Sequence, residues 1–227
     1  MEKVVVSLGG SILVPGEEDA RYLSDLAALL RDVAAHVRVF AVTGGGRIAR
    51  YYIETGRRLG VSERVLDGMG IAATRLNARL LGAALKGAAN REPALSYAEA
   101  TRLASRYRIV LMGGTRPGHT TDRVSASLAR HVRAARIVNA TSVDGVYTAD
   151  PRKDPAARLL DRVRFEDLAR LAGEGHAAAG PSVVFDPVAA RALVRDRIPL
   201  AVVHGRDLRS LRNAILGRPF HGTMVAD

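Results

Sequence analysis

The sequence predicts an α/β fold of three layers, in which a mostly parallel β-sheet lies between two layers of helices. Short apolar runs rich in β-branched residues alternate along the chain with longer segments of helical periodicity. The apolar runs are continuous rather than alternating, as expected for strands that helices bury on both faces. Several of them end in glycine, which leaves bare backbone at the sheet edge where α/β proteins bind ligands.

The predicted elements follow one another without a low-complexity linker or a repeat of fixed period. Strands are predicted, in chain order, at Val4–Leu8, Val37–Val42, Ile109–Met112, Ile137–Ala140 and Leu200–Val203. Helices are predicted at Asp19–Ala35, directly after Gly44–Gly46, and at Arg64–Ala89, Asp122–Arg133, Pro187–Arg195 and Leu208–Leu216. We therefore predict a single domain over residues 1–227, with a lobe boundary near residue 120.

Composition restricts the chemistry and the partners. The 227 residues include no cysteine, which excludes disulfides, thiolate metal sites and thiol catalysis. The net charge of +11 comes almost entirely from arginine, because lysine occurs only at Lys3, Lys86 and Lys153. The arginines are dispersed and lack interleaved aromatic residues, which favours a surface that attracts small anions over a nucleic-acid interface. The longest apolar runs are too short to span a membrane and the N-terminus does not read as a secretory signal, so we expect a cytoplasmic protein.

Two glycine-rich loops follow the first two strands. "LGGS", residues 8–11, fits either a tight turn or a backbone cradle for phosphate. "TGGGRIAR", residues 43–50, opens a helix that carries Arg47 and Arg50, whose guanidinium groups are able to bind phosphate; a plain turn with surface arginines is the alternative. Neither loop matches the P-loop or the dinucleotide-binding fingerprint.

A third loop, "MGGTRPGHTTDRVSA" at residues 112–126, leads into the next predicted helix. Thr120 or Thr121 is suited to cap that helix, and Asp122 in its first turn suits the helix dipole. Asp122 is also predicted to stand where the three glycine loops converge, where a carboxylate can orient cationic groups or Mg²⁺. His119 fits an ordinary loop residue better than a ligand contact.

Two further segments carry candidate polar groups. "NATSVDGVYTADPRKDP", residues 139–155, lacks the order of a calcium loop, and Tyr147 offers an aromatic face for a nucleobase; a generic turn is the alternative. Asp186 precedes Pro187, so N-capping of the next helix explains it without any role in function.

The order of these motifs resembles the amino acid kinase superfamily over essentially the whole chain. Within it, "GGSILVP", "LDGMG" and "GGTRPGHTTD" look like the uridylate kinases in their archaeal form. The resemblance implies the amino acid kinase-like fold, with an acceptor-binding lobe at about 1–120 and an ATP-binding lobe at about 121–227. It also implies transfer of the γ-phosphoryl group of MgATP to UMP in pyrimidine nucleotide biosynthesis, and a homohexamer built as a trimer of dimers.

The resemblance also assigns roles to individual residues. ATP would be held by Ser7, Leu8, Gly9, Gly10, Ser11, Gly45 and Arg50 at the phosphates and by Thr141, Tyr147 and Asp150 at the nucleoside. UMP would be held by Gly44, Asp67, Gly114, Thr115, Arg116, Pro117, Gly118, His119 and Thr120. The catalytic group would comprise Asp122, Arg50, Lys153 and Asp186, with Mg²⁺ carried by ATP and no direct protein ligand to the metal.

Two positions depart from the pattern of the superfamily. Ser7 stands where many members carry a lysine, and Ser142 stands where asparagine or lysine often precedes "VDG". Lys153, Arg50 and Mg²⁺ are then the remaining candidates for neutralising phosphate charge. The alternatives that stay open are a kinase of another small acid, such as isopentenyl phosphate or carbamate, a nucleotide- or anion-binding protein without catalysis, and a basic nucleic-acid binder.

Overall fold

The computed structural model describes residues 1–14, 19–149, 151, 154–174 and 185–227. These residues contain a sheet of seven strands, which are β1 (Lys3–Leu8), β2 (Arg38–Thr43), β3 (Ile109–Met112), β4 (Arg136–Thr141), β5 (Arg162–Val163), β6 (Leu200–His204) and β7 (Thr223–Val225). The order across the sheet is β3-β2-β1-β4-β6-β7-β5. All neighbours pair in parallel except β6 and β7, which confirms the mostly parallel sheet and adds an antiparallel step near one edge.

Helices connect the strands and cover both faces of the sheet. They are α1 (Gly10–Leu13), α2 (Asp19–Val33), α3 (Gly46–Arg58), α4 (Glu63–Ala84), α5 (Tyr97–Leu103), α6 (Thr121–Val132), α7 (Phe165–Glu174), α8 (Pro187–Asp196) and α9 (Leu208–Leu216). Among the described residues, no helix is long and apolar enough to cross a membrane.

The alternating side chains of the strands divide the core into two layers. Val4, Val6 and Leu8 of β1 pack with α2, α4 and α9 on one face of the sheet. Val5 faces the other side, where the core includes residues of α5, α6, α7 and α8. Because both faces of the strand are buried, its sequence is continuously apolar. The three-layer arrangement predicted from the sequence is confirmed.

The ends of the predicted helices differ from the observed ends for local reasons. The helix predicted at Arg64–Ala89 is α4, which ends at Ala84 because Lys86 and Gly87 adopt left-handed conformations with φ of 50° and 88°. The helix predicted at Asp122–Arg133 is α6, and Arg133, with φ of 55°, is its C-cap. The sequence patterns do not predict three of the helices, α1, α5 and α7, or the short strands β5 and β7.

The proposed lobe boundary near residue 120 does not interrupt the sheet. β1 pairs with β2 on one side and with β4 on the other, so strands from before and after that point share one sheet. The division into two lobes stays a prediction about ligand binding.

Candidate active site

The loops after β1 and β2 lie in direct backbone contact. The Gly44 N–H donates a hydrogen bond of 2.8 Å to the Leu8 carbonyl. A Cβ atom added to Gly10 would lie 2.1 Å from the Gly46 nitrogen, and one added to Gly44 would lie 2.6 Å from the Gly10 nitrogen. No side chain fits between these backbones, so close packing by itself requires both glycines.

The backbone N–H groups near these loops differ in whether they are already hydrogen-bonded within the protein. The Gly9 N–H donates to the Ala140 carbonyl at 2.9 Å and is therefore already occupied. α3, by contrast, begins at Gly46, and the first N–H groups of a helix have no partner within the helix. Together with the helix dipole, these donors favour an anion in front of the second loop. Arg50 is exposed on the second turn of this helix.

Helix α4 holds the second and third loops with the polar side chains of Asn77 and Thr74. The Asn77 amide, almost fully buried, donates to the Gly44 carbonyl at 2.7 Å. The Thr74 hydroxyl accepts a bond of 2.7 Å from the Gly114 N–H, and its carbonyl accepts one of 2.8 Å from the Thr43 hydroxyl. Neither Thr74 nor Asn77 was predicted from the sequence. For Asn77, the available signal was a polar residue at a buried position of an amphipathic helix.

A cavity of about 320 Å³ opens between α3, α4 and the third loop. The predicted acceptor residues that line it are Asp67, Gly114, Arg116, Pro117, Gly118, His119 and Thr120, joined by Gly45 of the second loop. The lining is completed by residues that were not predicted to contact the acceptor, which are Ala49, Ile53, Gly70, Ile71, Thr74 and Thr121. The structure therefore gathers most of the predicted acceptor set around one cavity.

Asp67 closes the cavity through the third loop. Its Oδ2 atom accepts a hydrogen bond of 2.8 Å from the N–H of Gly118, whose φ of +71° favours glycine. Asp67 therefore stabilises the third loop as well as lining the cavity. The hydroxyl of Thr115, in the same loop, is buried without a hydrogen-bond partner in the described part of the chain.

His119 lies in the third loop, in surroundings that favour the neutral form of its imidazole. Burial, followed by the positive charges of Arg123 and Arg116, lowers the pKa of its imidazole below the usual value. Its Nδ1 atom is buried and has no hydrogen-bond partner among the described residues.

Asp122 stands at the start of α6 and connects three segments. Its carboxylate accepts bonds from the Ser7 hydroxyl at 3.4 Å and from the Asp186 N–H at 3.1 Å. Burial of the carboxylate raises its pKa from 3.8 to about 7, against the opposing effect of these two hydrogen bonds. Thr120 caps α6 by accepting from the Arg123 N–H, which decides between the two predicted capping residues.

Asp186 is the N-cap of α8, as the sequence predicted. Its Oδ1 atom accepts a bond of 2.9 Å from the Ala189 N–H. The same residue donates its own N–H to Asp122, so capping and proximity to the candidate site occur together.

Two residues predicted to hold the ATP nucleoside, Thr141 and Tyr147, lie at and after the end of β4, which pairs with β1 on the side opposite β2. Thr141 ends β4, and its carbonyl accepts from the Gly205 N–H at 2.7 Å. The Tyr147 hydroxyl donates to Asp144 at 3.1 Å. Ser11 lies in α1. Asp150 and Lys153 lie outside the described residues, so their predicted roles stay predictions.

The fold and the site define a class of protein. A mostly parallel sheet brings three glycine loops to one edge, beside a cavity closed by a carboxylate and lined by arginine, as suits an α/β protein that binds phosphate-bearing ligands. The chain belongs to the amino acid kinase family, whose model matches residues 2–204.

Relatives are similar over nearly the whole chain. A uridylate kinase of Methanothrix thermoacetophila is 46% identical over 94% of this chain and 95% of its own length. The crystal structure of uridylate kinase from Archaeoglobus fulgidus matches with a TM-score of 0.89 and 41% identity, and all of both chains is covered. The crystal structure of UMP kinase from Ureaplasma parvum, at 22% identity and a TM-score of 0.81 over 100% of this chain and 99% of that one, supports the fold alone.

Proposed function

We propose that this chain is a UMP kinase, which transfers the γ-phosphoryl group of MgATP to UMP and releases ADP and UDP. The observation that carries the proposal is the cavity of about 320 Å³ beside the glycine loops, with Asp67 and the third loop around it. Full-length similarity to proteins named uridylate kinase supports the same acceptor.

UMP occupies this cavity in the proposal. Asp67 faces the ribose hydroxyls, and the loop from Gly114 to Thr120 surrounds the nucleotide. Ile53 and Ile71 supply apolar wall for the pyrimidine ring. Gly44 leaves the second loop close to the acceptor phosphate.

ATP lies on the opposite side of the first two loops. Residues 7–11, Gly45 and Arg50 accommodate its phosphates, and Thr141, Tyr147 and Asp150 accommodate its nucleoside. The Gly9 N–H is bonded to the Ala140 carbonyl and so does not donate to phosphate. Gly9 instead gives the phosphates room, because it has no side chain. The donors in front of α3 and the guanidinium of Arg50 offset phosphate charge.

The chemistry requires alignment and charge stabilisation rather than a general base. The phosphate of UMP has a second pKa near 6 and is largely dianionic at neutral pH. One of its oxygens attacks the γ-phosphorus of ATP in line, a new P–O bond forms, and the bond to the departing ADP oxygen breaks. No proton has to be removed from the acceptor.

Asp122 and Asp186 act in positioning. Asp122 ties β1 to the start of α8 through Ser7 and the Asp186 N–H, so it holds the first loop against the helix layer. In its ionised form it also orients the cations of the catalytic group, Arg50 and Lys153, toward the transferring phosphoryl group. Thr120 caps α6, so capping does not account for the position of the Asp122 carboxylate.

Mg²⁺ fits this site as the partner of ATP. Within the described ranges no group of three or more His, Asp or Glu side chains is placed to hold a metal ion, and Asp122 is bonded to protein groups. Mg²⁺ that is bound mainly by the phosphate oxygens of ATP does not require a cluster of protein ligands. When bound, Mg²⁺ neutralises phosphate charge.

Assembly and location complete the proposal. Large apolar side chains are exposed on α3 and α4, and we assign this face to contacts in a homohexamer arranged as a trimer of dimers; its members are Tyr51, Tyr52, Val65, Leu76 and Leu80. The substrates ATP and UMP are consistent with a cytoplasmic enzyme.

The direct test is release of ADP from MgATP with a panel of acceptors. The panel comprises UMP, CMP, dUMP, isopentenyl phosphate and carbamate, with a reaction lacking acceptor as control. We expect turnover to be strongest with UMP. Turnover confined to isopentenyl phosphate or carbamate, or ATP binding without any turnover, would contradict the proposal.

A further inference from the structure

Helices α6 and α8 enclose a second cavity, separate from the acceptor cavity. Its volume is about 460 Å³, and it shares no lining residue with the acceptor cavity. Both helices begin where Asp186 contacts Asp122, and they pack side by side along the outer face of the sheet. The small side chains of Ala126 and Ala192 face the gap and leave it open. We call this feature the α6–α8 groove.

Four arginines line the groove. Arg123 and Arg130 project from α6, seven residues apart, and Arg191 and Arg195 project from α8, four residues apart. These spacings place each pair on one face of its helix. Seven helical residues rise roughly 10 Å, so the guanidinium groups are distributed along the groove rather than gathered at one point.

Among the described residues, a single carboxylate is paired with the arginines of the groove. Arg130 and Arg195 share a single carboxylate, Asp196, at 3.9 Å and 2.7 Å. Arg123 and Arg191 have no carboxylate partner within the described part of the chain. Four guanidinium groups against one carboxylate leave an excess of three positive charges on a concave surface, where the field of like charges adds.

A smaller cavity continues the groove. It has a volume of about 260 Å³ and shares five lining residues with the first, which are Ala126, Ser127, Arg130, Ala192 and Arg195. Tyr97 and His131, whose ring centroids are 6.0 Å apart, line it. The hydroxyl of Tyr97 is buried and lacks a hydrogen-bond partner in the described ranges, so its ring, and not its hydroxyl, is the part open to a ligand.

We infer that the α6–α8 groove binds a polyphosphate anion at a site distinct from the active site. Guanidinium groups form paired hydrogen bonds with phosphate oxygens, and several of them spaced along a groove match a chain of phosphates better than a single anion. Bound polyphosphate offsets the repulsion between the arginines of the two helices. The ligand is either an inorganic polyphosphate or the triphosphate of a nucleotide whose base reaches Tyr97 and His131.

The test uses tripolyphosphate and calorimetric titration of the full chain. A titration in the presence of UMP and a non-hydrolysable ATP analogue keeps the active site filled. The groove variant is Arg191→Gln/Arg195→Gln. The matched control is Arg209→Gln/Arg218→Gln, which removes the same charge from exposed arginines at and just after α9, on the opposite face of the sheet.

We expect the groove variant to bind tripolyphosphate at least tenfold more weakly than the wild type, while the control stays within about twofold. CTP serves as the nucleotide probe. If CTP binds no more tightly than tripolyphosphate, the phosphates alone determine the affinity. If CTP binds tenfold more tightly and Tyr97→Ala removes this difference in affinity, the ligand is a nucleotide. Either result supports the site.

Three outcomes would overturn the inference. They are equal loss of affinity in the groove and control variants, no binding to the wild type with the active site filled, and a preference for single-stranded RNA that weakens equally in both variants as salt rises. Turnover of UMP without tripolyphosphate is expected to be the same in wild type, variant and control. If the groove does not bind tripolyphosphate, the proposed kinase activity is therefore unaffected. If the kinase assay shows no turnover of UMP, the titration still tests binding in the groove.

Discussion

At the scale of single residues, Asp122 connects parts of the chain that are far apart in sequence. Ser7 lies in β1 and Asp186 precedes α8, yet both are bonded to this one carboxylate. Burial raises its pKa to about 7, so the carboxylate gains a proton close to neutral pH. Kinetics test the function of Asp122, and the pH dependence of unfolding tests its effect on stability.

We predict that Asp122→Asn lowers kcat by roughly 10²-fold to 10³-fold, the range seen when a charge-stabilising group is removed from an active site. KM for ATP and for UMP is expected to change about threefold or less, because Asp122 positions other groups rather than binding substrate. Steady-state kinetics with Asp32→Asn, an exposed partner of Arg212, as the charge-matched control provide the measurement. Unchanged kcat would remove Asp122 from the mechanism.

The raised pKa of Asp122 also predicts a dependence of stability on pH. The folded protein holds this proton more tightly than the unfolded chain, so the contribution of Asp122 to stability falls as pH rises from about 4 to about 7. Asp122→Asn carries no such proton. Each pKa unit corresponds to about 1.4 kcal/mol; with partial solvent screening we expect the variant to gain about 2 kcal/mol over the wild type between pH 4 and pH 8.

Urea unfolding of both proteins at pH 4.5, 6 and 8 measures this effect. The difference in the free energy of unfolding should grow with pH and level off above pH 7. If the free energy of unfolding depends on pH in the same way for both proteins, the pKa of Asp122 is not raised.

Asp67 combines a contact within the protein with a predicted contact to the acceptor. We predict that Asp67→Ala raises KM for UMP about tenfold, equivalent to about 1.4 kcal/mol, and narrows the preference for UMP over dUMP. KM for ATP should stay unchanged. Glu63→Gln, an exposed carboxylate in the first turn of the same helix, is the control. An equal rise of both KM values would indicate a general loss of structure.

At the scale of elements, α4 determines the geometry of the acceptor site. The helix holds the second loop through Asn77 and the third loop through Thr74 and Asp67. Rigid support of this kind places a binding loop more accurately than the loop could place itself.

We predict that Asn77→Leu destabilises the fold by about 1–3 kcal/mol, because the buried Gly44 carbonyl loses its side-chain donor. Chemical denaturation provides the measurement. Asn213→Leu is the control, since the Asn213 amide also donates to a backbone carbonyl, that of Pro219, but in an exposed position. A loss no larger than that of the control would mean that the Asn77 bond does not support the loop.

At the scale of the whole molecule, the two outer faces differ in character. α3 and α4 present exposed apolar side chains, whereas the α6–α8 groove presents arginine. Apolar surface favours association with another protein surface, and a groove of uncompensated cations favours anions.

We predict that Leu76→Glu/Leu80→Glu lowers the oligomeric state, because these side chains lie one turn apart and are 53% and 44% exposed on α4. Light scattering coupled to size-exclusion chromatography gives the mass of each species. Leu95→Glu, which adds charge at an exposed leucine before α5, should leave the mass unchanged. A wild type that is monomeric at micromolar concentration would contradict the assembly.

The sequence by itself determined the layer order and the main elements of this protein. Continuous apolar runs and helical periods are local patterns, so strands such as Ile109–Met112 and helices such as Leu208–Leu216 were placed at their observed bounds. Glycine at strand ends likewise located the three loops. The order of motifs supplied the family, which the match over residues 2–204 confirms.

Only the tertiary structure decided how these pieces meet. The contact of Gly10 with Gly46, the bond from Asn77 to Gly44 and the pairing of Asp122 with Ser7 join residues separated by long stretches of chain. β5 and β7 exist because neighbouring strands offer them hydrogen bonds, since two or three residues carry no periodic signal. The periodicity of a sequence indicates which face of a helix or strand is buried. Only the packing of the folded chain determines which residues that face contacts.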